Sequence, residues 1–171
     1  MERAARGIVR TAALELDVAI DDFVIITTAM DIGDYVHISP HCSIIGGRKS
    51  RCDMAPFSGL AAGCRVVCGS DAYLGSGLTN PTVPPQFHGI VKFTTVRLER
   101  HALFGTNCVC HPGVTAGEGA VVGSCSLITK DLAPWTLYVG VPAQPVKARS
   151  RETMLEKEAQ LHVYEREQAQ A

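Results

Sequence analysis

The sequence predicts an all-β fold in which the chain winds as a solenoid of stacked triangular coils, carries one protruding loop and ends in an α-helix. Three observations predict it. Apolar residues recur every six positions, small residues recur four places after them, and the pattern breaks at one proline-bearing stretch and again before a charged C-terminal segment. A period of six matches neither the 3.6 of a helix nor the strict alternation of a half-buried strand. It suits a coil in which one hexad serves each of three flat sides.

Written in sixes from Ile8, the first column holds Ile8, Leu14, Ile20, Ile26, Ile32 and Ile38. The same frame resumes at Leu98 with Phe104, Cys110, Ala116, Val122 and Ile128, while Ala102, Cys108, Val114, Ala120, Ser126 and Leu132 fill the fifth column. A middle block with Met54, Leu60, Val66 and Ala72 in first place is out of frame, which implies a short insertion near Gly46-Gly47-Arg48-Lys49-Ser50. Large aliphatics at the first place fill a narrow interior and small residues at the fifth let the chain turn. Gly or Asn between them tolerates unusual backbone angles. Successive coils then stack at the strand spacing of ~4.8 Å.

From Gly77 to Thr95 the hexads vanish, and Pro81, Pro84 and Pro85 stiffen that stretch into an arm long enough to reach a neighbouring subunit. The run Gly140-Val141-Pro142-Ala143-Gln144-Pro145-Val146-Lys147 ends the repeat, and the Glu-, Arg- and Gln-rich segment after it predicts a helix packed on the last coils. The expected organisation is a solenoid over 1–148 with an extended loop at 77–95, followed by a helix within 149–171.

Sixteen Lys and Arg against seventeen Asp and Glu leave a net charge of −1, so no global field draws the chain to nucleic acid or an anionic membrane. No apolar run approaches the ~20 residues of a membrane span, and the N-terminus shows no secretory signal, so a cytoplasmic protein is expected. The seven cysteines are odd in number and lack a CxxC pair. Cys42, Cys64 and Cys108 at fifth places and Cys110 at a first place read as small fillers of a reduced core. Cys108-x-Cys110-His111 has no second ligand pair at zinc spacing, and no metal is expected. His37, His41, His101 and His111 occupy places outside the core columns and read as surface residues, with His37 or His111 able to face a groove.

The segment CHPGVTAGEGAVVGSCSLITKDLAPWTLYVGVPAQPVKARS, residues 110–150, resembles the closing motif of the hexapeptide-repeat acyltransferases. That resemblance implies a left-handed parallel β-helix and a homotrimer whose active sites lie in grooves between subunits, with acyl-CoA, acetyl-CoA above all, along the stack. The arm residues Thr79-Asn80-Pro81-Thr82-Val83-Pro84 and the flanking SDAYLGSG are similar to the branch that acylates the amino group of nucleotide-linked amino-dideoxy sugars for surface polysaccharides. A nucleotide-linked amino sugar is therefore the expected acceptor.

Sugar O-acetyltransferases of this family use a His in a T-x-H-P-like stretch as general base, and here that stretch reads Thr79-Asn80-Pro81. An alcohol needs a base during attack, whereas an amine has an accessible neutral form and need only shed a proton as the tetrahedral intermediate collapses. The missing His favours an amine. The resembling branch has acidic residues at the places of Asp71 and Glu118, which implies Asp71 as the group that orients the amine and accepts its proton, with Glu118 assisting. His88 is the competing base. Backbone N–H groups are the expected oxyanion donors. For CoA, the resemblance points to the small residues Gly105, Gly123 and Ser124 along the pantetheine, and Thr129, Lys130 and Lys147 suit its phosphates. The alternatives are a sugar or xenobiotic O-acetyltransferase with a histidine base, a carbonic-anhydrase-like trimer holding zinc by histidines, and a non-catalytic assembly subunit.

Overall fold

The structure, a computed structural model, describes residues 18–71, 73–80 and 82–169. The hexad opening at Ile8, residues 14–17 of the next, the first-column residue Ala72, and Pro81 of the arm lie outside the described residues. The described chain is a left-handed parallel β-helix with three faces.

The first face stacks Ala19–Ile20, His37–Ile38, Gly59–Leu60, Leu103–Phe104, Val121–Val122 and Thr136–Gly140 in parallel register, so that Ile20, Ile38, Leu60, Phe104, Val122 and Tyr138 form one column. The second stacks Ile25–Ile26, Ser43–Ile45, Arg65–Val67, Val109–Cys110 and Leu127–Ile128. The third stacks Ala29–Ile32, Arg51–Met54, Thr95–Leu98 and Thr115–Ala116, and a bridge from Ala116 to Leu132 carries it one step further. The column residues of successive hexads thus fall on successive faces, which is why a period of six gives a triangular section.

The core follows the two columns. Ile38, Leu60, Val66, Leu98, Phe104 and Ile128 from the first places are buried with Val36, Cys64, Ala102 and Ala120 from the fifth. All seven cysteines are free and only Cys125 is exposed. Burial pushes the Cys110 thiol above the ordinary cysteine range, as suits an inert filler.

The third corner, between the third face and the first face of the next coil, carries residues with left-handed backbone at equivalent places: Tyr35, Phe57, His101, Gly119 and Trp135. Because coils repeat at strand spacing, these side chains stack. The Tyr35 and Phe57 rings lie 4.8 Å apart, Phe57 and His101 5.0 Å, and Trp135 reaches back over Gly119 towards His101 at 6.0 Å. A Cβ on Gly119 would stand 2.4 Å from the Trp135 ring, so the glycine makes room for it.

The chain end differs from the sequence expectation. Thr136–Gly140 stays in the first face and turns back through Ala143–Ala148 as an antiparallel edge strand, so the stack is extended before it ends. The helix Glu152–Gln168 docks on the third corner beside Phe57 and His101, nearer the middle of the stack than its last coils. His101, expected at the surface, is 6% exposed. Neutral His101 donates its Nε2–H to Glu158 of the helix at 2.8 Å, and Arg100 pairs with the same carboxylate. The Arg149 guanidinium donates to the carbonyls of His101 and Gly119 at 3.1 and 3.0 Å. Burial, then the neighbouring Arg100, holds the His101 pKa below the ordinary histidine value, with Arg149 adding to this and Glu118 opposing it. No helix among the described residues is long and apolar enough to cross a membrane.

Candidate active site at the second corner

The short insertion and the arm both fall at the second corner, where the chain passes from the second face to the third. The Gly46–Ser50 turn lies between the strands Ser43–Ile45 and Arg51–Met54 of one coil. On the next coil the chain leaves the prism after Arg65–Val67 and returns at Thr95–Leu98. Gly69–Asp71 and Val91–Phe93 pair antiparallel as the base of this arm, with Asp71 opposite Val91 and Gly69 opposite Phe93. Residues 73–77 of the hexad AYLGSG, assigned to the stack on its spacing, therefore belong to the arm, and Tyr73 and Leu74 are 86% and 97% exposed. The next place on the third face is taken by Thr95–Leu98, which pairs with Arg51–Met54.

Asp71 stands half-buried where the arm leaves the stack. Its Oδ2 accepts the backbone N–H of Asn80 at 3.2 Å, so the returning arm holds one carboxylate oxygen and fixes the direction of the other. His88 lies further out, where its Nε2 makes a hydrogen bond of 2.6 Å with the Val83 carbonyl. A carbonyl only accepts, so Nε2 is the protonated nitrogen, and His88 braces the arm through it while Nδ1 keeps its lone pair. Glu118 is on the third corner, next to the aromatic column, where its backbone carbonyl accepts the Trp135 N–H at 2.7 Å. A single chain therefore does not bring Glu118 to Asp71.

The six residues suggested for CoA are also divided. Gly105 and Gly123-Ser124 sit on the first corner, on successive coils. A Cβ on Gly105 would meet Ser124 N at 2.7 Å, and one on Gly123 would meet Val139 Cγ1 at 2.7 Å, so both glycines are already required by coil stacking. Thr129 and Lys130 lie on the second corner, two coils beyond the arm, and line a recess of about 230 Å³ with Tyr138, Pro142 and Gln144. Lys147 is exposed on the antiparallel edge strand opposite Leu137. Among the described residues no group of three or more His, Cys, Asp or Glu is arranged to hold a metal ion.

The sequence reading missed one feature of this corner. Lys49, from the short turn, places its Nζ 5.5 Å from the centre of the Phe93 ring at the arm base. The signal was available: the frame shift at Gly46–Ser50 and the loss of hexads in the arm both fall between a second-face and a third-face column residue.

No family model matches the chain. The dTDP-4-amino-4,6-dideoxy-D-glucose acyltransferase of Escherichia coli is 32% identical over 141 residues, which span 81% of this chain and 72% of that enzyme. A putative acetyltransferase of Staphylococcus aureus is 37% identical over 75 residues, 42% of this chain and 38% of that protein. The crystal structure of AntD, an N-acyltransferase from Bacillus cereus in complex with dTDP and 3-hydroxybutyryl-CoA, aligns with a TM-score of 0.80 and 33% identity over 88% of this chain and 79% of its own. A serine-to-cysteine variant of AntD, in complex with dTDP-4-amino-4,6-dideoxyglucose and Coenzyme A, aligns with a TM-score of 0.79 and 33% identity over 86% and 78% of the two chains. A hexapeptide-repeat acetyltransferase from Vibrio cholerae shares the fold at 16% identity, with a TM-score of 0.64 over 86% of this chain and 76% of its own.

Proposed function

Because the chain belongs to the hexapeptide-repeat acyltransferase family, with the E. coli enzyme and AntD among its relatives, we propose that it transfers an acyl group from acyl-CoA to the amino group of a dTDP-linked 4-amino-4,6-dideoxy sugar. Acetyl is the first acyl group to test, and surface polysaccharide the destination of the product. The enzyme works in the cytoplasm as a homotrimer, each active site lying in a groove between subunits. Such an assembly can supply Asp71 from one chain and Glu118 from another, which a single chain holds on different corners.

Direct attack in a ternary complex follows from the chemistry. The amine nitrogen adds to the thioester carbonyl, the C–S bond breaks, and the CoA thiolate leaves. Asp71 orients the amine through the carboxylate oxygen that Asn80 does not hold, accepts the proton the nitrogen sheds, and passes it on to the departing thiolate. Backbone N–H groups lining the groove stabilise the oxyanion. Thr129 and Lys130 meet the CoA phosphates, with Lys147 adding charge, while Gly105, Gly123 and Ser124 keep the corner flat beneath the pantetheine.

The observation that carries this reading is the Asp71 carboxylate, directed from the arm base by the Asn80 N–H. The rival base, His88, donates its Nε2–H to Val83 and keeps Nδ1 as an acceptor, so Asp71→Asn beside His88→Ala decides between the two. Thiol release from acetyl-CoA with dTDP-, UDP- and GDP-linked amino sugars, each beside its hydroxyl counterpart, tests the proposal. Release with a dTDP-linked amino sugar supports it. Release with the hydroxyl sugars alone makes the protein an O-acetyltransferase.

A further inference from the structure

The Gly46–Ser50 turn is clamped to the arm base. A Cβ on Gly69 would lie 2.6 Å from the Gly46 carbonyl oxygen and 2.7 Å from Ser50 Oγ, and one on Gly46 would lie 2.6 Å from Gly69 N. No side chain fits between the two backbones. The Cys68 N–H donates to the Ile45 carbonyl at 2.6 Å, and Thr94 donates to the Cys68 carbonyl through both its N–H and its hydroxyl, at 2.9 and 2.7 Å. A short turn that bulges from one coil is thus registered against the strand that carries Asp71 on the next.

The clamp sets Lys49 over Phe93, with Arg48 beside it in sequence. Neither cation has a carboxylate partner within 4.0 Å among the described residues, although Arg51, one residue further on, is paired with both Asp31 and Asp53. In the ladder at the arm base, Asp71 is opposite Val91 and Phe93 is opposite Gly69. Opposed residues of an antiparallel pair share a face and so do residues two apart, so Asp71 and Phe93 project from the same side, offset by ~7 Å along the strands. On that side stand one carboxylate, one half-exposed aromatic ring and an unpaired ammonium group above the ring.

Resting on the function proposed above, we infer that Lys49 and Arg48, with Phe93 as the platform between them and Asp71, form the subsite for the diphosphate of the nucleotide-linked sugar. A pyranose bearing an amine at C4 and a diphosphate at C1 carries its cationic and anionic ends on opposite sides of one ring. The site presents the complementary order: Asp71 for the amine, an aromatic face for the apolar side of a 6-deoxy sugar, and cations for the phosphates. Lys49 waits over the ring as a cation–π pair and exchanges that contact for the phosphate oxygens. CoA also carries phosphates, and the test separates the two sources.

Lys49→Met keeps the apolar stem and removes the charge from an exposed side chain. The expected result is a KM for the nucleotide amino sugar raised about tenfold or more. kcat and the KM for acyl-CoA stay within about twofold, and Lys49→Arg restores most of the loss. Calorimetric binding of dTDP alone weakens in step, a readout that needs no turnover. An unchanged acceptor KM and dTDP affinity in Lys49→Met, with a wild-type enzyme active on the nucleotide amino sugar, overturns the subsite and leaves the proposed function standing. A rise confined to the KM for acyl-CoA assigns the cations to CoA and overturns it too. A wild-type protein that neither binds dTDP nor acylates any nucleotide amino sugar overturns the function itself, and the subsite with it.

Discussion

Asp71→Asn is the substitution on which the catalytic assignment turns. Asparagine is nearly isosteric, and its side-chain oxygen can still accept the Asn80 N–H that Asp71 Oδ2 accepts at 3.2 Å, so the arm base keeps its local tie. What changes is the second atom. An acceptor bearing negative charge becomes an NH₂ donor, which repels an amine's N–H and takes no proton. A hydrogen bond to a charged group contributes about 1.5–3 kcal/mol, which is roughly a 10- to 150-fold loss in kcat/KM. Loss of general-base service adds a factor of ~10²–10⁴ where deprotonation limits the rate. The variant should therefore fall at least about tenfold in thiol release under saturating acyl-CoA, and folding stability should stay within ~0.5 kcal/mol, as for a partly exposed site with its hydrogen bond conserved. Full activity in Asp71→Asn beside an inactive His88→Ala would refute the reasoning and move the base to the arm.

Further outcomes follow from the same structure. Phe104→Ala removes a fully buried ring from the first-face column and should destabilise the fold by about 3–5 kcal/mol, read as a lower urea midpoint at unchanged slope. Stability should rise with pH just below the ordinary histidine value of ~6.5, because burial depresses the His101 pKa and the unfolded chain binds more protons in that window. That contribution is complete above ~6.5 and disappears as pH falls towards the depressed pKa; a His101→Gln variant that keeps the same slope would contradict it. Glu158→Ala should loosen the helix Glu152–Gln168, seen as faster amide exchange there than in the coils, because it removes the partner of both Arg100 and His101. Lys130→Ala should raise the KM for acyl-CoA severalfold and leave the acceptor KM alone.

The prism was legible because its two inward columns obey a fixed spacing: Ile38, Leu60, Phe104 and Val122 are buried on one face although a turn and an arm separate them in sequence. The same spacing misled at AYLGSG, since a six-residue pattern is apolar in the right places whether or not a neighbouring coil accepts it. His101 was misjudged for a related reason. Its burial comes from Phe57, Trp135 and Glu158, which reach it through corner stacking and helix docking, and neither leaves a mark in the hexad frame. Asp71 was a candidate through the resemblance, which has an acidic residue at its place, where the hexad VVCGSD ends just before the arm. The Lys49–Phe93 contact left only an indirect mark, two interruptions of the frame that land at one corner on adjacent coils.

The central claim is the chemistry of the bond formed. The most direct measurement is a single reaction containing acetyl-CoA, dTDP-4-amino-4,6-dideoxyglucose and its 4-hydroxyl counterpart in equal amounts, with the product identified by mass and by its stability to hydroxylamine. The account predicts one acetyl group on the amino sugar in a hydroxylamine-stable amide, with the hydroxyl sugar recovered unchanged. A hydroxylamine-labile ester on either sugar would contradict it.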